Sequence, residues 1–112
     1  MPLDSLDYVR EKLTAAIPLL VSARPVQDRL FSAYTETLYL LQPDDLPEHT
    51  REHFRALHEA LTGVEWAEVE GEIAVDHGTI RANTSTMSDE EAEGWAKTIV
   101  EIFIEISSPR PR

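Results

Sequence analysis

The chain has 112 residues, 42% of them hydrophobic and 28% charged, with a formal net charge of -11 and no cysteine. That length suits one domain around one core, and the composition is that of a folded chain, not a disordered one. Missing cysteines exclude disulfides, thiol nucleophiles, Cys-ligated zinc and iron–sulfur clusters, and the acidic balance argues against nucleic acid and membrane phosphates as partners.

Leu6, Val9, Leu13, Ile17 and Leu20 recur at steps of three and four, which predicts a first helix opening after Asp4 or Ser5 as N-cap. Pro18 lies inside that pattern, where it removes a backbone donor and crowds the Thr14 carbonyl, so a kink is expected. Pro25 then opens a second helix. Its stripe of Val26, Leu30, Ala33, Tyr34, Thr37, Leu38 and Leu41 carries the helix to about Leu41, with Phe31, Tyr39 and Leu40 widening the apolar side. In the turn from Gln42 to Pro47, Pro43 stops that helix, Asp44 or Asp45 caps the next and Pro47 starts it. The third helix sets Thr50, Phe54, Leu57, Ala60 and Leu61 inward and stops at Gly63.

Residues 64–87 are too long a connection to be left structureless in a compact domain. Val64, Trp66, Val69, Ile73, Val75 and Ile80 supply apolar material. Two readings are open: a small hairpin pairing residues 64–66 with 73–75 around Glu70-Gly71-Glu72, or a loosely helical flap. After Gly78, Thr79 is placed to cap a short helical turn through Ile80 and Ala82. Ser88-Asp89-Glu90-Glu91 is a capping box, the clearest helix start in the chain. The helix after it carries Ala92, Trp95, Ile99, Ile102, Phe103 and Ile106 on one face, with Val100 and Ile104 beside them. The run Ile99 to Ile106 alternates acceptably as a strand, and the upstream cap decides for helix. The expected fold is all-α: a four-helix-bundle-like single domain over residues 1–108, with a long acidic loop or small hairpin between its third and fourth helices. Residues 109–112 form a frayed Pro/Arg tail.

Charge is distributed unevenly. Residues 59–105 hold twelve Asp and Glu against two basic residues, a net of -10. Within them Glu65, Trp66, Glu68, Glu70 and Glu72 place an aromatic side chain inside a negative rim, a pattern suited to a protein partner with a basic surface. The apolar positions of the last helix cover more of its circumference than one small core buries, so Val100 and Ile104 are expected to meet a second copy in a homodimer.

His49-Thr50-Arg51-Glu52-His53 matches H-x-x-E-H, the inverted zinc-peptidase pattern, with both His on one side of a helix and Glu52 one turn from His49. Such a site also needs a third protein ligand and a cleft, and the chain is short for the enzymes that carry it. The favoured reading is a solvated helix face. Asp44, Asp45 and Glu48, and likewise Asp89, Glu90 and Glu91, sit at helix starts, where carboxylates complement the helix dipole without any catalytic role. Nothing in the chain has the form of a nucleophile elbow, a triad or a phosphate-cradling glycine loop. No cofactor is expected. The first twenty residues lack a signal-peptide pattern, and no run of about 18 apolar residues occurs, which suggests a cytoplasmic location.

Residues 78–84, leading into residues 87–92, together with residues 41–47, resemble a group of small uncharacterised all-helical bacterial proteins over most of the second to fourth helices. The resemblance implies a helical bundle and no activity, and the stretch from Val64 to Val75 is longer and more apolar here. The expected function is a non-enzymatic, self-associating interaction module. The alternatives are an acidic inhibitor or nucleic-acid mimic filling a basic groove, as phage counter-defence proteins do, and a metal-dependent hydrolase using the H-x-x-E-H residues.

Overall fold

A computed structural model describes residues 5–63 and 77–107. Among these, α1 runs Ser5–Leu20, α2 Val26–Glu36, α3 Glu48–Thr62, α4 His77–Ser85 and α5 Asp89–Ser107, with single 3₁₀ turns at Leu38–Leu40 and Pro43–Asp45. The described residues contain no strand. The hairpin proposed for residues 64–75 and the tail 109–112 lie outside them.

α2 and α5 are the central pair. α2 packs on α1, α4 and α5, while α5 packs on α1, α2 and α3. One continuous cluster joins every helix, from Val9, Leu13, Ala16 and Leu20 of α1 through Leu30, Tyr34, Phe54, Leu57 and Leu61 to Ile80, Ile99 and Ile102. The apolar spacing along α1 shifts slightly from expectation, since Ala16 is buried and Ile17 only half-buried. Pro18 lies within α1, which continues to Leu20. The last carbonyl of α1 has a partner from the next helix: Arg29 donates from Nη1 to the Leu20 carbonyl at 2.9 Å, and its Nε donates to the Arg24 carbonyl of the connecting turn at 2.8 Å.

The second helix is shorter than its stripe. It ends at Glu36, where the Thr35 and Thr37 hydroxyls turn back onto the Phe31 and Ala33 carbonyls at 2.8 and 2.6 Å, a competition that weakens the helical ladder. The chain then tightens into a 3₁₀ turn closed by the Leu41 N–H on the Leu38 carbonyl at 3.0 Å. Because residues three apart eclipse in that geometry, Leu38 and Leu41 both stay buried while Tyr39 and Leu40 swing outward.

Neither Asp44 nor Asp45 caps α3. Asp45 instead closes its own turn, accepting the Gln42 N–H at 3.0 Å, and Pro47 occupies the N-cap with its carbonyl taking both the N–H and the hydroxyl of Thr50. The far end of α3 is as expected: Gly63 adopts the left-handed conformation at φ 74° and donates to the Glu59 carbonyl. Asn83 of α4 adds a bond to the Leu61 carbonyl at 2.8 Å.

α4 is the main departure from the sequence reading. Where the sequence suggests a loosely helical flap or a short helical turn capped by Thr79, nine residues of regular helix include Gly78 and Thr79, so Thr79 is not a cap and the described helices number five instead of four. The helix buries Ile80 and Thr84, and tertiary contacts compensate for its weak propensities. Arg81 pairs with Asp28 of α2 at 2.6 Å while its guanidinium lies 3.9 Å from the centre of the Phe31 ring. At the head of α5 the capping box forms as read, with the Glu91 N–H on Ser88 Oγ at 3.1 Å and the Ser88 N–H on Glu91 Oε1 at 3.5 Å. Gln27 of α2 ties this junction down by donating to the Met87 carbonyl and to Asp89 Oδ1.

Candidate functional site

α3 and α5 pack along a line that leaves a cleft of about 210 Å³, lined by His49, Thr50 and His53 from α3 and by Thr98, Glu101, Ile102 and Glu105 from α5. Helical periodicity explains the selection. His49 and His53, and Glu101 and Glu105, are each four residues apart and so project one above the other from the same side of their helices. His49 Nε2 lies 3.5 Å from Glu105 Oε1, with the His side chain about one-third exposed and the Glu more than half exposed. Thr98 uses its hydroxyl locally, on the Gly94 carbonyl at 3.0 Å.

Glu52 is not part of this cleft. A residue three positions from His49 stands about 100° away from the direction shared by His49, Thr50 and His53, since each step along the helix turns about 100°. Its carboxylate is instead 84% exposed and pairs with Arg55 at 3.4 Å. Glu52, as its side chain is placed, thus does not line the cleft with His49 and His53. As the side chains are placed, no three His, Asp or Glu among the described residues are grouped to hold a metal ion.

The flank of α5 opposite the core carries the second feature. Ile99, Ile102 and Ile106 are buried, Val100 and Phe103 are half-buried against the core, and Ile104 is 55% exposed. Of the two residues expected at a self-association surface, the structure thus leaves Ile104 outward and Val100 partly covered one turn before it. Glu101 and Glu105 flank them and are exposed. Glu65, Trp66, Glu68, Glu70 and Glu72 lie outside the described residues.

A buried polar pair was missed. Tyr34 of α2 and His58 of α3 are 0% and 3% exposed, and the Tyr hydroxyl and His58 Nδ1 share a hydrogen bond at 2.6 Å. Burial pushes the phenol above its usual value near 10 and the imidazole below its usual 6.5. Both are therefore neutral near pH 7, and the imidazole tautomer decides which of the two donates. The signal was present in the spacing, because position 58 falls between Phe54 and Leu61 at steps of four and three on the apolar face. The pair is a cross-link between α2 and α3.

Comparison of the chain with protein-family models, curated proteins and solved structures returns no match. Among the described residues no helix is long and apolar enough to cross a membrane.

Proposed function

We propose that this chain is a non-enzymatic protein-interaction module that self-associates through the outer flank of α5 and presents acidic surface to a partner with a basic face. The observation that carries this reading is Ile104, a large apolar side chain more than half exposed on the longest helix, one turn from half-buried Val100. A two-fold pairing brings the same patch of both copies together and covers each Ile104 with its counterpart. The acidic surplus of residues 59–105 supplies the charge for a second, basic partner.

The two kinds of association respond oppositely to salt. Self-pairing across α5 sets Glu101 and Glu105 of one copy near those of the other, so screening their repulsion strengthens it, whereas attraction to a basic partner weakens as ionic strength rises. Light scattering over a micromolar concentration series, at low and high salt, is the test. A dimer that tightens with salt and dissociates on Ile104→Glu, with the melting temperature of the variant unchanged at low protein concentration, supports the reading. A wild-type chain that stays monomeric at high micromolar concentration in both buffers refutes it.

A further inference from the structure

We infer that the outward face of α5 is the docking site for a basic amphipathic helix of another protein, and that this helix competes there with a second copy of the chain. The inference rests on the reading of the chain as an interaction module, and it names the kind of basic partner and the place where it binds.

Glu90, Glu93, Lys97, Glu101 and Ile104 follow one another at steps of three and four, so they stand in one stripe along α5, and all of them are exposed. Ile99, Ile102 and Ile106 face the core on the other side of the helix. At the rise of an α-helix the stripe is about 21 Å long, which spans about four turns of a partner helix laid beside it. Its charges favour a basic partner over a second copy. Glutamates outnumber the lysine, and a second copy brings the same signs, whereas lysine or arginine on a partner meets the carboxylates with opposite charge. Ile104, with half-buried Val100 one turn before it, supplies an apolar anchor at one end. Gly94 supplies room. A glycine inside a helix is less stable than an alanine, and a Cβ placed on Gly94 meets nothing within 4 Å, so no packing among the described residues requires the glycine. It is exposed, four residues after Glu90 and three before Lys97, at the edge of the same stripe. Bare backbone at that point lets a second helix come as close as helices pack, with axes about 8 Å apart. The partner that fits is a helix with lysine or arginine along the edges of a short apolar face.

The probe is a labelled synthetic helix of about five turns, with leucine on one face and lysine along both edges of it, titrated with the full chain and read by fluorescence anisotropy. A peptide of the same composition with its lysines and leucines scrambled is the control for charge alone. Saturable binding of one peptide per chain is expected, weaker by at least about tenfold when salt rises from about 50 to 300 mM. The scrambled peptide should bind at least about tenfold more weakly, and so should the designed peptide to Gly94→Leu or Ile104→Ala. Without peptide, Gly94→Ala should raise the melting temperature by a few degrees. Light scattering should show the peptide converting dimers into complexes of one chain and one peptide. The inference is overturned by absence of saturable binding at low salt, by equal binding of the scrambled peptide, or by Gly94→Leu binding as wild type. It is also overturned by a Gly94→Ala that lowers the melting temperature, since the glycine then serves the chain's own packing, and by peptide that binds the dimer without dissociating it. A chain that is monomeric throughout, yet binds the designed peptide with these sensitivities, refutes self-association and supports the docking site.

Discussion

Replacing Tyr34 by Phe removes one oxygen and nothing else, and the structure sets the size of the effect. The hydroxyl is bonded at 2.6 Å to a His58 nitrogen that is buried with it, so Tyr34→Phe leaves that nitrogen in an apolar setting without its partner. Stranding a buried polar group costs about 1–3 kcal/mol, more than the net worth of the bond itself. For a domain of this length that corresponds to a fall in Tm of roughly 4–12 °C. Removing both partners is a different perturbation. Tyr34→Phe with His58→Leu puts apolar groups of similar size on both sides, and the pair should recover most of the loss, giving a coupling energy of about 1 kcal/mol or more in a double-mutant cycle. Urea unfolding of the four proteins, with a common slope, measures it. If Tyr34→Phe lies within about 0.3 kcal/mol of wild type, or if the two changes simply add, the assigned bond does not exist in solution and the reasoning fails.

The same pair predicts a pH profile. His58 binds its proton less readily folded than unfolded, so its contribution is complete above pH 6.5 and is lost as pH falls from there toward the lower folded value; His58→Leu should flatten that limb of a Tm-against-pH curve. Tyr34 ionises later folded than unfolded, so stability is complete below pH 10 and declines above it, a limb that Tyr34→Phe removes. Ser88→Ala deletes the side-chain half of the α5 cap and should cost about 1 kcal/mol in chemical denaturation. Gly63→Ala should cost about 1–2 kcal/mol, and the cause is conformational: a Cβ there meets only Asn83 Nδ2 at an ordinary 3.6 Å, while φ of 74° is strained for any residue with a side chain.

Helix class and most of the core were legible because periodic burial and local caps are recorded in neighbouring residues. The α5 start at Ser88 and the α3 stop at Gly63 were both read from four or five letters. Where the reading failed, the deciding partner was distant in sequence. The extent of α4 was not legible, beyond a short helical turn or a loosely helical flap, because residues 77–85 contain Gly, Asn, Ser and two Thr, poor helix formers whose cost is offset by Asp28 and Phe31 on another helix. The end of α2 was overrun because the stripe from Tyr34 to Leu41 suits an α-helix and a 3₁₀ turn alike as far as burial is concerned. The candidate site shows the same division. His49 and His53 were visible as a helical pair, but Glu101 and Glu105 join them only through packing of α3 on α5, and a local motif drew attention to Glu52 in their place.

Several helix ends in this protein are closed by side chains from a different helix. Arg29 of α2 holds the last carbonyl of α1, Asn83 of α4 holds a carbonyl at the end of α3, and Gln27 of α2 holds the entry to α5. A terminus of that kind cannot fray alone, because opening it breaks a contact that its neighbour needs in order to stay docked. Amide protons near these ends should then exchange with solvent by the same large-scale opening as the core, and the chain behaves as one cooperative unit in place of a set of helices that loosen independently.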